Sequence, residues 1–198
     1  MTMNTAPSDI DLLRQMRTGT AAAFQALYRR HQGPLFRFAA LRCGSLDTAA
    51  DIVQEVFMGL LTDSFKFDPM RGALQSFLFG VARNLIMKHE EARRRLSSLP
   101  EPADDDGDTD WEPGSEADEP LARMLGSELA EEVRRALAQL PPHYRDAVIL
   151  YELHELSYLE IAGICQVDIG TIRSRLSRGR AALAKKLGAH RPTEMNEA

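Results

Sequence analysis

The segment from Pro100 to Pro120, PEPADDDGDTDWEPGSEADEP, restricts the fold more than any other part of the chain. It holds ten acidic residues and no basic one, interspersed with proline and glycine. A chain of this composition repels itself and buries too little apolar surface to form a core. We therefore expect a flexible acidic linker at 100–120 that joins two small domains, one at 8–99 and one at 121–188. Each flanking piece is long enough to form its own core.

The negative charge of the chain is concentrated in this linker. The whole sequence has 24 basic and 29 acidic residues, whereas the chain without the linker has 24 basic and 19 acidic ones. The two pieces that are expected to fold therefore carry a net positive charge.

Several function classes find no support in the sequence. No apolar run approaches the roughly 18 residues of a membrane span, and the start MTMNTAPSDID lacks the regions of a secretory signal. Cys43 and Cys165 lie far apart, as expected for free thiols in the cytoplasm. The five histidines are scattered, and YELHEL lacks the spacing of a zinc site, so we expect no metal, no cofactor and no enzyme. His154 is expected on a helix surface.

Helical periodicity dominates the chain, and alternating strand patterns are nearly absent, which predicts an all-α protein. Capping residues and prolines predict helices after Ser8, Thr20 and Ser45, a short separate helix over GPLFRFAALRCG, and a long helix from about Leu74 to Arg95. In the second piece, a helix near 121–140 precedes another that begins at the Pro-Pro pair.

Two further helices near the C-terminus have the spacing of a helix-turn-helix. Ser157 and Glu160 form a capping box that begins a short helix from Tyr158 to Cys165. The turn QVD follows, and its Asp168 can cap the next helix. A helix-turn-helix places the start of its second helix in the major groove of DNA.

That second helix begins the segment 169–191, which has seven basic residues and no acidic one. On a helix, Ile172, Leu176 and Leu183 share one narrow apolar stripe, and the cationic side chains lie opposite it or at its borders. A charged face is often only a solvated surface. The strict segregation and the capped helix before it favour DNA binding here.

The C-terminal sequence LPPHYRDAVILYELHELSYLEIAGICQVDIGTIRSRLSRGRAALAKKL resembles the promoter-binding domain of bacterial extracytoplasmic-function sigma factors. GTIRSRLSRGR is its most specific part. The resemblance implies binding to the minus-thirty-five promoter element. The candidate contacts are Thr171, Arg173, Ser174, Arg175, Arg178 and Lys185. Gln166 and Cys165 replace the usual Gly and Leu, and we expect Cys165 to pack in the core.

The motif DIVQEVF, in the first piece, is similar to the sigma-factor helix that docks on the clamp of RNA polymerase. Its polar side is expected to face away from the core, and solvent exposure alone could explain it. Methionine on that side suits a partner surface. The resemblance makes Asp51, Gln54, Glu55 and Met58 candidate polymerase contacts, with Ala50 where the family usually has Glu.

The segment FKFDPMRGALQSFLFGVARNLIMKHEEARRR is similar to the family's region that reads and melts the minus-ten element. Holding an unstacked single strand requires cations for its phosphates and pockets for its bases. The resemblance assigns this role to Arg83, Asn84, Lys88, Arg93, Arg94 and Arg95, with the loop 65–72 as the base pocket. Phe77 replaces the usual Trp, and Lys88 replaces a usual Asp. The cations at the helix end also suit its dipole.

The resemblance as a whole implies a sigma factor that directs promoter-specific transcription initiation. Its expected partners are core RNA polymerase, promoter DNA and an anti-sigma factor, with no membrane insertion. A conventional helix-turn-helix repressor is the main alternative, but it would leave DIVQEVF and the aromatic and basic helix before the linker without a role.

Overall fold

The computed structural model describes residues 7–97 and 128–188, and every regular element in these two ranges is a helix. The all-α prediction is confirmed. The acidic linker predicted at 100–120 lies outside the described residues. Four α-helices form the N-terminal domain: α1 (Asp9–Arg17), α2 (Ala21–Cys43), α3 (Leu46–Leu61) and α4 (Leu74–Ser97), with a 3-10 turn at Pro69–Arg71 before α4.

The first three helices start where the sequence predicted, but only two of these starts have a side-chain capping hydrogen bond. The hydroxyl of Ser8 accepts a hydrogen bond from the Asp11 amide at 3.2 Å, and that of Ser45 accepts one from the Thr48 amide at 3.3 Å. Each satisfies an amide that the helix itself leaves unpaired. Thr20 occupies the cap position of α2, but its side chain makes no capping hydrogen bond.

The prediction of a separate short helix over GPLFRFAALRCG is wrong. Pro34 lies inside the continuous helix α2, which ends at Gly44, a residue in the left-handed conformation at φ 72°. A proline removes one backbone hydrogen bond and disfavours a helix interior. Here the buried residues Leu27, Leu35 and Phe38 keep one helical stripe on both sides of the proline, so core packing outweighs the local penalty.

The core of the N-terminal domain lies between α2, α3 and α4, with α1 packed on α2. Gly59 of α3 is buried in it and leaves room for the ring of Phe65. A Cβ at Gly59 would lie only 1.9 Å from Cε2 of that ring. The carbonyl of Gly59 also accepts hydrogen bonds from the amides of Ser64, at 2.9 Å, and Phe65, at 3.3 Å. The loop after α3 is therefore held directly against that helix.

The C-terminal domain contains α5 (Glu128–Ala138), α6 (Pro142–Glu152), α7 (Tyr158–Cys165) and α8 (Ile169–Gly188). The bounds of α7 and the start of α8 match the predicted helix-turn-helix, and residues 121–127 of the predicted preceding helix lie outside the described ranges. The capping box of Ser157 and Glu160 is present. Gln166 adopts the left-handed conformation at φ 56°, the backbone geometry for which the usual glycine is suited.

Close packing between α6 and α8 depends on another glycine. A Cβ at Gly179 would lie 2.8 Å from Cγ2 of Val148. The stripe predicted for α8 is confirmed, since Ile172 and Leu176 are almost fully buried and Leu183 packs on the same core. Cys165 is also buried, as expected, and both cysteines are free.

The two domains pack against each other, which the sequence did not predict. Helix α4 lies on α7, the first helix of the helix-turn-helix, and α2 lies on α5 and α6. Among the described residues, no helix combines the length and the apolar character that crossing a membrane requires.

Candidate nucleic-acid interface

Helix α8 presents most of its predicted DNA contacts to solvent. Asp168 fixes its start, because one carboxylate oxygen accepts from the Thr171 amide at 2.8 Å and the other from the Thr171 hydroxyl at 2.7 Å. These bonds lower the pKa of Asp168. Arg173, Ser174, Arg178 and Lys185 are exposed, and Thr171 is half-buried. The arrangement gives an open cationic face at the start of the second helix of the pair.

Arg175 differs from the other predicted contacts on α8. It is half-buried, and its Nη1 is buried without a hydrogen-bond partner. Burial raises the pKa of the Cys165 thiol, and the positive charges of Arg83 and Arg175 partly oppose that effect. The side chain thus lies at the inner edge of the exposed cationic face of α8.

Arg180 was placed by the sequence only at the border of this face. The structure pairs its Nε with the Glu152 carboxylate at 2.5 Å and places its guanidinium 4.8 Å from the Tyr151 ring centroid. Both partners belong to α6, so Arg180 ties α8 to the helix behind it. Cation–π pairs are not visible in a sequence, because they depend on how the two helices pack.

The polar face of α3 is open along its whole length. Asp51, Gln54, Glu55 and Met58 are all exposed, and half of the Met58 surface, 51%, is accessible. Glu55 lies beside His89 of α4, with 3.6 Å between Nε2 of the imidazole and Oε2 of the carboxylate. The opposite side of the helix is buried, which confirms the predicted division into two faces.

Helix α4 carries the predicted minus-ten residues in two different environments. Asn84, Lys88, Arg93, Arg94 and Arg95 are exposed, and Arg95 pairs with Glu91 one turn earlier. Arg83 instead lies between the two domains, with only 12% of its side chain exposed, and its Nε donates to the Asp146 carboxylate at 2.7 Å. The cationic end of the helix is therefore accessible, whereas Arg83, near its middle, is covered by the C-terminal domain.

The loop 65–72 before α4 is anchored by its aromatic residues. Phe65 packs against Gly59, and the rings of Phe67 and Phe77 lie 5.3 Å apart. Phe77 is half-buried and packs against the core. Met70, at the 3-10 turn, is 93% exposed. The start of the loop is thus held against α3 and α4, and the rest of it is exposed.

His154 is not the helix-surface residue that the sequence predicted. It follows α6 and packs against two rings of the N-terminal domain, Phe79 at 4.7 Å and Phe38 at 6.5 Å between centroids. Its Nε2 is buried without a hydrogen-bond partner. Desolvation, with a smaller contribution from the positive charge of Arg37, lowers the pKa of His154 to about 4. In the described residues, no group of three His, Cys, Asp or Glu side chains could hold a metal ion.

Known sequences account for both domains. The family model described as Sigma-70 region 2 matches residues 27–96, and the model described as Sigma-70, region 4 matches residues 130–183. The ECF RNA polymerase sigma-E factor of Escherichia coli K12 is 32% identical over 189 residues, which cover 91% of this chain and 94% of that protein. The chain belongs to the extracytoplasmic-function sigma factors.

Two further relatives agree with this membership. The ECF RNA polymerase sigma factor SigE of Mycolicibacterium smegmatis is 33% identical over 180 residues, which cover 87% of this chain and 66% of that protein. Among solved structures, the sigma factor RpoE in complex with the anti-sigma factor NepR from Bartonella quintana has a TM-score of 0.62 and 28% identity, covering 85% of this chain and 98% of that one.

The family gives the general function. The chain is a sigma factor that acts with RNA polymerase in transcription initiation, and it is not an enzyme. The region 4 match includes α8 and its basic face, and the region 2 match includes α3 and α4. Because a repressor would contain no region 2 domain, the alternative of a conventional repressor is set aside.

Proposed function

We propose that this sigma factor docks on core polymerase through the exposed face of α3 and binds promoter DNA through α4 and α8. In this assignment, residues 8–99 form the docking and minus-ten domain, 121–188 form the minus-thirty-five domain, and 100–120 form the linker. The docking residues are Asp51, Gln54, Glu55 and Met58. The protein acts in the cytoplasm, where its polymerase partner works.

The open cationic face of α8 is the observation that carries the proposal. Arg173, Arg178 and Lys185 are exposed on a helix whose other side is buried against α6. Arginines near the start of such a helix can bind guanine edges in the major groove, while other cations contact phosphates. Thr171, Ser174 and the half-buried Arg175 complete the minus-thirty-five set.

For the minus-ten element, the exposed cations of α4 support a role in holding a single strand. Lys88, Arg93, Arg94 and Arg95 lie in its C-terminal half, and Asn84 lies one turn before Lys88. The anchored loop 65–72 at the other end of the helix can receive an extruded base. Arg83 belongs to the same set but can reach DNA only after its contact with Asp146 is broken.

An anti-sigma factor is a further proposed partner. A related sigma factor, 28% identical to this chain, was solved in complex with one. That relative shares the helical architecture over 98% of its own length. We propose that a protein of the same kind binds this chain.

Footprinting with and without core polymerase tests the proposal. A promoter is first selected from a library by transcription in vitro with core enzyme and this sigma factor. The free protein should give no specific footprint at physiological salt, since one small basic domain binds duplex DNA weakly and with strong salt dependence. Addition of core enzyme should give protection at two elements, strand opening near the downstream one, and new transcripts.

The Arg178→Ala variant is tested with the same core enzyme. It should lose protection at the upstream element before it loses protection at the downstream one. A tight palindromic footprint by the free protein, unchanged when polymerase is added, would refute the proposed function.

A further inference from the structure

Asp146 joins the two domains by accepting hydrogen bonds from two arginines of the other domain. It lies in the second turn of α6 and is 1% exposed. Its Oδ1 accepts from Nε of Arg42 in α2 at 2.5 Å, and its Oδ2 accepts from Nε of Arg83 in α4 at 2.7 Å. We call this three-residue contact the Asp146 bridge. Both carboxylate oxygens are used by the N-terminal domain, so its geometry depends on how the domains pack.

The surroundings of the bridge contain more positive than negative charge. Arg42 also pairs with Glu90 of its own domain, and Nη1 of Arg145 donates to the Arg42 carbonyl at 2.8 Å. Burial lowers the pKa of Arg145, and Arg42 adds to that effect. Three guanidinium groups thus share two carboxylates, and loss of the Asp146 charge would leave Arg42 and Arg83 underpaired in a buried site.

A buried charge that loses its partner is costly, whereas the same charge in water is not. If the domains separate, Arg42, Arg83 and Asp146 all become hydrated. The bridge therefore acts on the equilibrium between packed and separated domains, because both arginine partners of Asp146 belong to the other domain.

The packed arrangement covers one face of α4. Ser76, Phe79 and Arg83 follow one another at helical spacing along this face. The Ser76 hydroxyl donates to Glu160 of α7 at 3.1 Å, Phe79 packs against His154, and Arg83 joins the bridge. Each of these contacts is made by the C-terminal domain. The face that leads from the loop 65–72 to the cationic half of α4 is thus occupied by the helix-turn-helix domain.

The other two interfaces stay open in the same arrangement. The docking face of α3 is exposed, and so are Arg173, Arg178 and Lys185 of α8. Nothing in the described contacts prevents polymerase from binding α3 while the domains are packed.

We infer that the Asp146 bridge holds the free sigma factor in a closed state, in which the helix-turn-helix domain covers the first half of α4 and leaves the docking face of α3 accessible. Binding of polymerase then precedes opening, and opening releases Arg83 for DNA. The closed state rests on the contacts themselves, whereas the effect on minus-ten DNA rests on the function proposed for α4.

The test compares Asp146→Asn with Glu90→Gln in the full-length chain. Both variants remove one carboxylate partner of Arg42, but only the first partner crosses between the domains. Small-angle scattering measures the radius of gyration, and circular dichroism checks that each variant is folded. Asp146→Asn should increase the radius of gyration, and Glu90→Gln should leave it at the wild-type value.

A second variant guards against misfolding, since Asp146 is deeply buried. His154→Asp places a carboxylate between Phe38 and Phe79, at a loop position that becomes solvated when the domains separate. It should expand the protein as Asp146→Asn does. Folded variants of both kinds that keep the wild-type radius of gyration would overturn the closed state.

The consequence for DNA is measured with a single-stranded oligonucleotide that carries the non-template minus-ten sequence of a promoter transcribed by the holoenzyme. The apparent affinity is proportional to the fraction of molecules that are open and able to bind. The free Asp146→Asn variant, which is open more often, should therefore bind about tenfold tighter than wild type. Glu90→Gln should bind like wild type. If the expanded variants fail to bind this oligonucleotide even with core polymerase, the closed state stands and the proposed role of α4 is refuted.

Discussion

The polar faces of α3 and α4 look alike in sequence and differ in the structure. Both lie opposite a buried stripe of the N-terminal domain, and both match sigma region 2. The face of α3, from Asp51 to Met58, is exposed throughout. On α4, the part around Ser76 and Arg83 is covered by the C-terminal domain, whereas Lys88, Arg93 and Arg94 are exposed.

The difference shows that a polar helix face that binds a partner can be either exposed or covered in the free protein. An exposed face is hydrated until its partner binds, so binding costs mainly the ordering of its side chains. A covered face is already bound, and any ligand must first displace another part of the same chain. Local sequence alone determines an exposed face, whereas a covered face also depends on residues that are distant in sequence, such as Asp146.

The largest expected effect tests the open face. Replacing Asp51, Gln54 and Glu55 together with Ala should weaken binding to core polymerase by at least about a hundredfold, since a few interface residues usually carry most of the affinity. Alanine favours helix and the three side chains are exposed, so the thermal midpoint should stay near the wild-type value. Competition against a labelled sigma factor measures the affinity.

The matched control for this triple variant is Gln25→Ala with Arg29→Ala, which removes two exposed side chains from α2. The control should bind core like wild type. A folded triple variant that competes as well as the control would show that the α3 face is only a solvated surface.

A second prediction repeats the comparison within α8, between the exposed Arg178 and the half-buried Arg175. Arg178→Ala should weaken promoter binding by about 1–3 kcal/mol if it contacts a base, with little change in thermal stability. Arg175→Ala removes the packing of a long side chain beside Cys165, so it should lower the thermal midpoint. Equal losses of affinity in both variants, with unchanged melting, would contradict this distinction.

A third and smaller effect is a dependence of domain packing on pH, through His154. Its pKa is lowered to about 4 in the packed state and should return to the ordinary value of about 6.5 when the ring is hydrated. The separated state therefore binds the proton more tightly. Packing is unaffected by this group above about pH 6.5 and weakens below it, by at most about 1.4 kcal/mol per pH unit.

Scattering at pH 7.5, 6.5 and 5.5 tests this dependence. Among residues 7–97 and 128–188, the one charge that shifts the His154 pKa is Arg37 of α2, which disfavours the protonated ring, and the aromatic neighbours offer it no counter-charge. The radius of gyration should rise as the pH falls. His154→Phe keeps a ring in place and should abolish the rise, so an unchanged pH profile in that variant would rule out His154 as its source.

Local signals in the sequence predicted most of each domain. The capping residues Ser8 and Ser45, the capping box before α7 and the spacing of the helix-turn-helix all appear in the structure where the sequence placed them. Such signals work because they depend on residues only three or four positions apart. The division of α3 into a buried and an exposed face was predictable for the same reason.

The errors arose where distant residues decide the outcome. Pro34 reads as a helix start, but packing on both sides of it keeps α2 continuous. Phe79 of α4 is fully buried, and its ring packs against His154 of the C-terminal domain. Asp146 belongs to the same contact between the domains. A search for periodicity within one helix cannot detect it.

The contact between Gly59 and Phe65 links α3, the proposed docking helix, to the start of the loop 65–72, the proposed base pocket. The two are therefore expected to move together. Gly59 follows Met58, a proposed polymerase contact, and both the ring and the backbone amide of Phe65 are seated on it. A displacement of α3 by polymerase must therefore carry the start of the loop 65–72 along with it. In the proposed function, polymerase that binds α3 would thereby also set the position of the start of this loop, before the loop receives a base.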